Sequence, residues 1–311
     1  MRTLTVSFGL LALASASFAA SAPQRPPIVG IANMAVKSND MEKSRTFYTK
    51  HMGFAEAYKF KPDKDSPERV VFKVNDHQYI QVSPELKGET EDRMIQMGYE
   101  TKDAKKLRDY LASKGWTVPA KVTKGPDGNL SFKVKDPDNY TVEFVQYLPG
   151  SLTGKTAGKF MPDTRVSDHM LHVGMRIKDE AASDKFYKDI LGFRPLWKGG
   201  PTDTRFDWIS MLVPDGTDWV EYMANSTNPT PQQLGVLNHF CLQSMDLQKV
   251  HKTVVDRGYV GNRVPAIGRD GRWLLQLYDP NLTRAEFMIR KPVEKPCCSE
   301  MHDVDESGHQ H

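Results

Sequence analysis

The feature that most constrains this chain is an internal repeat. Residues 33–54 read NMAVKSNDMEKSRTFYTKHMGF, and residues 172–193 read HVGMRIKDEAASDKFYKDILGF. Both segments have an alternating strand pattern, an Asp seven positions from the start, a Ser-x-x-Phe-Tyr helix, and a Gly twenty positions from the start, where a helix is expected to end. The sequence therefore contains two copies of one strand–helix unit, and a repeat of this kind constrains the whole fold.

A second pair of segments keeps a related spacing. Residues 96–115 and 239–258 each place an Asp seven positions and a Gly nineteen positions from the start, around a helix whose apolar residues are three and four apart. Further on, residues 134–146 and 277–289 share an Asp-Pro turn that enters an alternating strand containing a Glu. The sequence thus predicts four units, each in the order strand, helix, strands.

These units divide the chain into two predicted domains, residues 28–147 and residues 168–290. Residues 148–167 between them have the Pro, Gly, Ser and Thr content of a linker. The length of 311 residues fits two domains of ~150 residues each. With 39% hydrophobic residues, 26% charged residues and a formal charge of +3, the composition is that of an ordinary globular protein. No basic cluster indicates a nucleic-acid partner.

The first residues, 1–22, are interpreted as an export signal. Arg2 precedes an apolar run of roughly a dozen residues, FGLLALASASFA, and small residues follow it. The run is shorter than the ~20 apolar residues that a membrane span needs. We therefore expect a cleaved signal peptide and a periplasmic or secreted protein, with no membrane attachment after cleavage.

The last residues, 291–311, are predicted to form a flexible tail. Their prolines interrupt regular structure, and their acids and serines favour a mobile extension. Cys297 and Cys298 are adjacent within this tail, and the Cys-x-x-Cys spacing of zinc sites is absent. Their role is open between metal binding, an intermolecular thiol and plain disorder. Because Cys241 is the one other cysteine, no disulfide framework is expected.

Taken together, the motifs resemble the vicinal oxygen chelate (VOC) superfamily, which includes glyoxalase I, extradiol dioxygenases, and fosfomycin- and bleomycin-resistance proteins. The repeated segments carry the resemblance, together with DPDNYTVEF in the first half and DPNLTRAEF in the second. The resemblance implies an α+β fold with four βαβββ modules that form two tandem VOC domains, each enclosing a metal or ligand cleft. Because one fold hosts many chemistries, the resemblance is much less specific for the reaction.

The resemblance also implies four metal-ligand positions in each domain, on the first and last strands of each module. In the second domain, the register of the repeat places His172, Glu221, His239 and Glu286 at these positions. Imidazole nitrogen and carboxylate oxygen suit Zn, Ni, Mn, Fe or Co. We therefore expect a divalent metal ion as the cofactor of the second domain.

In the first domain, the same four positions hold Asn33, Gln81, Gln96 and Glu143. Three neutral amides and one carboxylate are a poor ligand set for a divalent transition metal. The first domain is therefore predicted to carry a degenerate metal site. The assignment of Gln81 leaves an alternative open, because the strand DHQYIQVS could shift by two residues and keep the same face.

For the reaction, the ligand set of the second domain resembles that of glyoxalase I. This implies Glu286 and Glu221 as candidate catalytic bases, with His172 and His239 as anchors of the ion, and lyase or isomerase chemistry by proton transfer next to a carbonyl group. His172, His239 and Glu286 equally resemble the triad of an extradiol ring-cleaving dioxygenase, although Glu221 would occupy a position that such an enzyme keeps open. A non-catalytic small-molecule binding or resistance protein is the third alternative. In each case the partner is a small molecule, and a homodimer is one open assembly.

Overall fold

The computed structural model describes residues 23–224 and 228–302. The segment interpreted as a signal peptide, residues 1–22, and the chain end, residues 303–311, lie outside the described residues. Within the described ranges, no helix combines the length and the apolar character that crossing a membrane requires.

The described residues form two eight-stranded sheets, one in each half of the chain. The strands of the first sheet are β1 (Ile28–Lys37), β2 (Ala55–Phe60), β3 (Arg69–Lys73), β4 (Tyr79–Ser83), β5 (Met94–Thr101), β6 (Thr123–Lys124), β7 (Leu130–Lys135) and β8 (Thr141–Gln146). The strands of the second sheet are β9 (Met170–Arg176), β10 (Arg194–Gly199), β11 (Trp208–Leu212), β12 (Trp219–Met223), β13 (His239–Gln243), β14 (Ala266–Ile267), β15 (Trp273–Tyr278) and β16 (Arg284–Met288). Their spatial orders correspond, β2-β3-β4-β1-β5-β8-β7-β6 and β10-β11-β12-β9-β13-β16-β15-β14. The predicted α+β architecture of four modules in two domains is confirmed.

Helices connect the strands, both within the modules and between them. They are α1 (Met41–Arg45), α2 (Ala104–Ser113), α3 (Leu152–Lys155), α4 (Glu180–Asp184), α5 (Gln233–Val236) and α6 (Leu247–Asp256). The first helix of each domain, α1 or α4, continues into a π-helical segment, Thr46–His51 or Lys185–Ile190. The matching irregularity supports the equivalence of the first and third modules.

The residues that define the sequence repeat mark the ends of these helices. In each module the repeated Asp is the N-cap residue, and its side chain accepts hydrogen bonds from backbone N–H groups of the first turn. These caps are Asp40, Asp103, Asp179 and Asp246. The repeated Gly follows each helix with a positive φ, which glycine adopts without a steric penalty. These glycines are Gly53 (76°), Gly115 (78°), Gly192 (82°) and Gly258 (91°).

The first and last strands of the modules lie side by side at the centre of each sheet. In the second sheet, β9 pairs in parallel with β12 and antiparallel with β13, and β13 pairs in parallel with β16. The first sheet repeats this arrangement with β4, β1, β5 and β8. Because alternate residues of a strand point to the same face, one side chain from each central strand can reach a common point.

Two equivalent tyrosine–aspartate hydrogen bonds join the domains. The hydroxyl of Tyr48 in the first domain donates to Asp279 in the second at 3.2 Å, and the hydroxyl of Tyr187 in the second donates to Asp136 in the first at 3.0 Å. Burial raises the pKa of each of these carboxyl groups to about 6. The Asp-Pro turns that the sequence repeats therefore connect the two halves as well as opening strands.

The C-terminal residues 291–302 pack against the second domain, which differs from the flexible tail expected from composition. The N–H groups of Val293, Cys297 and His302 donate to backbone carbonyls of the second domain at 2.8–2.9 Å. Cys297 and Cys298 are joined to each other by a disulfide bond, a pairing that the sequence analysis did not consider. The polar composition was misleading because main-chain groups make these contacts, and composition does not report on them. The predicted linker likewise contains α3, which Ser151 caps.

Candidate metal centre

Four side chains from the four central strands of the second sheet meet at one point. His172 lies on β9, Glu221 on β12, His239 on β13 and Glu286 on β16, and one ligand atom from each lies within 4.8 Å of the others. The Nε2 atoms of the two histidines are 3.1 Å apart. Oε2 of Glu286 is 3.4 Å from each of them. The structure therefore brings together all four residues that the sequence analysis named.

Glu221 completes the cluster from the cleft side. Its Oε2 atom is 3.4 Å from Nε2 of His239 and 3.9 Å from Nε2 of His172. Its side chain is 14% exposed, whereas that of Glu286 is 5% exposed and both histidines are fully buried. Of the two carboxylates, Glu221 is thus the more accessible to a small molecule.

A glycine makes room for one of the histidines. Gly174 on β9 is the register partner of His239, and a Cβ atom at residue 174 would lie 1.9 Å from Cε1 of the imidazole ring. Any larger side chain would push the ring out of the cluster. The sequence analysis did not identify Gly174, because its requirement comes from a side chain 65 positions away in the sequence.

Both histidines present Nε2 to the shared point. Nδ1 of His239 lies 3.2 Å from the carbonyl oxygen of Leu237, and Nη2 of Arg284 lies 2.8 Å from the same nitrogen. The ring of His172 packs against Trp219, and its Nδ1 atom is buried without a hydrogen-bond partner among the described residues. Burial lowers the pKa of His172, which favours the neutral imidazole that a metal ligand requires.

The two carboxylates are held in the ionised form. Burial alone raises their pKa values, but neighbouring groups outweigh it. For Glu286, the charge of Arg284 and the contacts with both histidines hold the pKa well below its usual range. For Glu221, the hydrogen-bond contact with His239 and the proximity of His172 lower the pKa. Two imidazoles and two carboxylates fit a divalent transition-metal ion, and these four residues would hold it.

Arg284 places a positive charge beside the cluster. Its Nη2 atom lies 3.8 Å from Glu286 and 4.0 Å from Glu221, and 2.5 Å from Nε2 of His239. The sequence analysis missed this residue. The signal was present, because Arg284 is two positions before Glu286 on an alternating strand and therefore shares its face.

A cleft of about 460 Å³ opens next to the cluster. Its polar lining residues include Glu221, Glu286 and Arg284, together with Arg269, Asp270 and Gln276. Its apolar lining residues include Trp197, Trp208, Met223, Leu237, Leu274 and Met288. The C-terminal segment supports one wall, since the indole N–H of Trp197 donates to the carbonyl of Cys297 at 3.0 Å. A cleft of this size, mostly apolar with a few converging polar groups, suits a small organic molecule.

The corresponding residues of the first domain also converge, but they satisfy one another. The side-chain amide of Gln96 donates to Asn33 at 3.1 Å and to Glu143 at 2.8 Å, and the amide of Asn33 donates to Glu143 at 3.1 Å. Arg69 donates to the amide oxygens of Gln81 and Gln96 at 3.2 and 3.4 Å. Gln81 thus lies at the predicted position, and a guanidinium group supplies the positive charge of this site.

Fold and cluster together define a two-domain protein built around a candidate metal site in its second half. The chain belongs to the Glyoxalase/Bleomycin resistance protein/Dioxygenase superfamily, whose family model matches residues 30–144 and 169–287. The sequence-based resemblance is confirmed by this match. No curated protein matches the chain at the sequence level.

Solved structures of two kinds of enzyme share the fold. The Mn(II)-bound glyoxalase from Novosphingobium aromaticivorans has a TM-score of 0.64 at 15% identity, over 89% of this chain and 86% of that one. A variant of homoprotocatechuate 2,3-dioxygenase from B. fuscum has a TM-score of 0.62 at 16% identity, over 88% and 74%. The 2,3-dioxygenase LapB from Pseudomonas sp. KL28 has a TM-score of 0.62 at 14% identity, over 88% and 97%. At these sequence identities the structural similarity establishes the fold alone. The reaction has to be inferred from the residues of the site.

Proposed function

We propose that this chain is a metal-dependent enzyme that transfers a proton next to a carbonyl group of a small molecule, the lyase or isomerase chemistry of glyoxalase I. The observation that carries the proposal is the position of Glu221. It adds a second carboxylate to the His172, His239 and Glu286 set, on the side that faces the cleft. A carboxylate in this position can serve as the base for proton transfer, whereas in a ring-cleaving enzyme it would occupy a position that the metal needs for its substrates.

The bound ion would polarise adjacent substrate oxygens and acidify the neighbouring C–H bond. The two glutamates then have different roles. Glu286 is the more buried, lies close to Arg284, and accepts a hydrogen bond from Gln276 at 3.3 Å, so it is suited to remain in place. Glu221 is more exposed to the cleft and is suited to take the proton at a carboxylate oxygen and return it to the neighbouring carbon.

Arg284 is suited to orient the substrate. Its guanidinium lies beside both carboxylates and lines the cleft, so it offers N–H donors and a positive charge to a substrate oxygen. Trp197 and Trp208 provide the apolar surface against which the rest of a small molecule can pack and exclude water.

The test is deuterium exchange. The purified chain is loaded with Ni, Mn, Zn or Co and incubated in D₂O with a panel of α-hydroxycarbonyl compounds, and deuterium incorporation is followed by NMR. We expect metal-dependent exchange that falls by about 10²–10⁴-fold in Glu221→Gln. The exposed carboxylate variant Glu180→Gln is the matched control and should exchange normally. Metal binding without exchange of any compound would contradict the enzyme and favour a binding protein.

A ring-cleaving dioxygenase is the second candidate. It is supported by His172, His239 and Glu286, which form a two-histidine, one-carboxylate set around a cleft with aromatic walls. This alternative predicts oxygen uptake with catechols after anaerobic loading with Fe(II), and a gain in uptake when Glu221→Ala opens a further position. An oxygen electrode that records no uptake in either protein would eliminate it.

We also propose that the protein acts after export. The support is the sequence of residues 1–22, and export would separate the protein from cytosolic glutathione adducts. Fractionation of cells that express the full chain should place a shortened protein outside the cytoplasm. A full-length protein confined to the cytoplasm would contradict export without affecting the proposed reaction.

A further inference from the structure

The first domain contains a cavity that corresponds to the metal centre of the second but has a different chemical character. Its volume is about 380 Å³, and Asn33, Gln81, Gln96 and Glu143 lie in its lining. Arg69 on β3 also lines it, although its side chain has little contact with solvent, the whole residue being 5% exposed. The corresponding residue of the second domain is Trp208 on β11, so a cation at this position of the sheet is present in the first domain alone.

Arg69 retains hydrogen-bonding capacity. Its Nη1 atom is engaged with Gln81 and Gln96, whereas its Nε–H is buried with no acceptor among the described residues. A buried charged donor without a partner is costly unless a ligand supplies the acceptor. Burial lowers the pKa of this guanidinium, but an arginine side chain stays charged at neutral pH.

A tyrosine on the neighbouring strand adds a second donor. Tyr58 lies on β2, two positions before Phe60, which is the register partner of Arg69, so the three side chains share one face of the sheet. The hydroxyls of the adjacent Tyr79 and Tyr147 donate to backbone carbonyls. No hydrogen bond of the Tyr58 hydroxyl involves another described residue, which leaves it available to a ligand in the cavity.

The wall of the cavity is aromatic and its rim is basic. The ring centroid of Tyr58 lies 6.1 Å from that of Phe60 and 6.0 Å from that of Tyr79. The three rings therefore form a continuous aromatic surface. Lys121, Lys124 and Lys133 also line the cavity, so with Arg69 four cations face the two carboxylates of Asp127 and Glu143. Both carboxylates are already hydrogen-bonded, Asp127 to Asn129 and Glu143 to Asn33 and Gln96. The four cations outnumber the two carboxylates, so the net charge of the residues that line the cavity is positive.

We propose that this cavity is a second binding site, for a small aromatic carboxylate. The carboxylate group accepts hydrogen bonds from Arg69 and Tyr58, and the aromatic body lies against the rings of Tyr58, Phe60 and Tyr79. The lysines at the rim attract the anion and neutralise the remaining carboxylate charge. The site is independent of the proposed metal chemistry, because it shares no residue with the second domain.

The test uses benzoate and isothermal titration calorimetry on the metal-loaded full chain. Benzamide and acetate are the comparison ligands, because the first lacks the charge and the second lacks the ring. Wild-type protein should bind benzoate and bind both comparison ligands more weakly. Arg69→Met should weaken benzoate binding by roughly ten- to a hundredfold, the value of hydrogen bonds to a charged group. Tyr58→Phe, which preserves the ring and the packing, should weaken it by about three- to tenfold.

His172→Ala is the control for a ligand that sits in the other domain, and it should bind benzoate like the wild type. Circular dichroism monitors the fold of each variant, and Tyr58→Phe keeps the test valid if Arg69→Met does not fold. The proposal is overturned if wild-type protein does not bind benzoate, if benzamide binds as tightly, if Tyr58→Phe is without effect, or if His172→Ala abolishes binding. None of these outcomes bears on proton exchange in the second domain.

Discussion

The two domains place four side chains at the same positions of the same sheet, yet the resulting sites have opposite chemistry. In the second domain, two imidazoles and two carboxylates form a ligand set for a metal ion, with the guanidinium of Arg284 beside it. In the first, amide N–H groups satisfy the one carboxylate, and Arg69 supplies the positive charge. The backbone thus fixes where the four positions meet, whereas residue type decides whether the four side chains there can bind a metal ion.

The largest difference between the domains should appear when the ligand positions are truncated. His172→Ala/His239→Ala should reduce the metal content from about one ion per chain to background, because only two carboxylates remain. Asn33→Ala/Gln96→Ala removes the corresponding pair from the first domain and should leave the metal content unchanged. Elemental analysis of both purified proteins makes the measurement. Metal retained by the histidine double variant would mean that the ligands are elsewhere.

The next effect concerns the buried carboxyls that join the domains, and it is a dependence of stability on pH. Asp136 and Asp279 have a pKa of about 6 when folded, against 3.8 for an ordinary aspartate, so the folded state binds more protons between these values. Their contribution to the free energy of unfolding is therefore complete below about pH 4 and is lost as the pH rises through 6. The loss should be roughly 3 kcal/mol for each group.

Urea denaturation from pH 4 to pH 7 measures this effect. Asp136→Asn and Asp279→Asn should each flatten the pH dependence by a similar amount, since the two sites are equivalent. A wild-type protein whose free energy of unfolding rises steadily from pH 4 to pH 6, in parallel with both variants, would contradict the raised pKa values.

A smaller effect should distinguish the two glycines that make room for the site residues. In Gly174→Ala the new Cβ atom collides with the ring of His239, and we expect metal affinity to fall by roughly ten- to a hundredfold, as for other groups that orient ligands. Gly98→Ala is the matched change in the first domain, where a Cβ atom would lie 2.4 Å from Nδ2 of Asn33. It should not alter metal affinity. Equal effects of the two changes in a competition assay with a chelator would argue for a global disturbance.

The smallest expected effect comes from the tyrosines that cross between the domains. Tyr48→Phe and Tyr187→Phe each remove one buried hydrogen bond to an aspartate and should each cost about 1 kcal/mol of stability. Because the two bonds share no residue, their effects should add in the double variant. Urea denaturation of the three variants measures these losses. If only one of the two substitutions lowers the free energy of unfolding, the two hydrogen bonds are equivalent in geometry but not in energy.

The fold was predictable because its signals are local and repeated. Asp40 and its three equivalents specify helix starts through bonds to the next turn, and the glycines specify helix ends through their own backbone conformation. The four ligand positions followed from that register together with the family resemblance. Even Gln81, whose strand could have shifted by two residues, lies where the register put it.

The features that could not be predicted from the sequence depend on contacts between distant parts of the chain. Arg69 has a long side chain, and nothing in its local sequence indicates whether the guanidinium turns toward solvent or toward the site. Gly174 is needed because of His239 on another strand. The C-terminal segment has the composition of a mobile extension, but its backbone finds acceptors on the second domain.

The packed C-terminal segment, residues 291–302, also affects the tendency of the protein to associate with other chains. Strand β10 is one of the two outer strands of the second sheet, and an uncovered outer strand can pair with another chain and promote aggregation. Here the N–H of His302 donates to the carbonyl of Leu196, and the N–H of Lys198 donates to the hydroxyl of Ser299. The protein thus shields its own edge, and proteolytic trimming beyond β16 would leave that edge open to self-association.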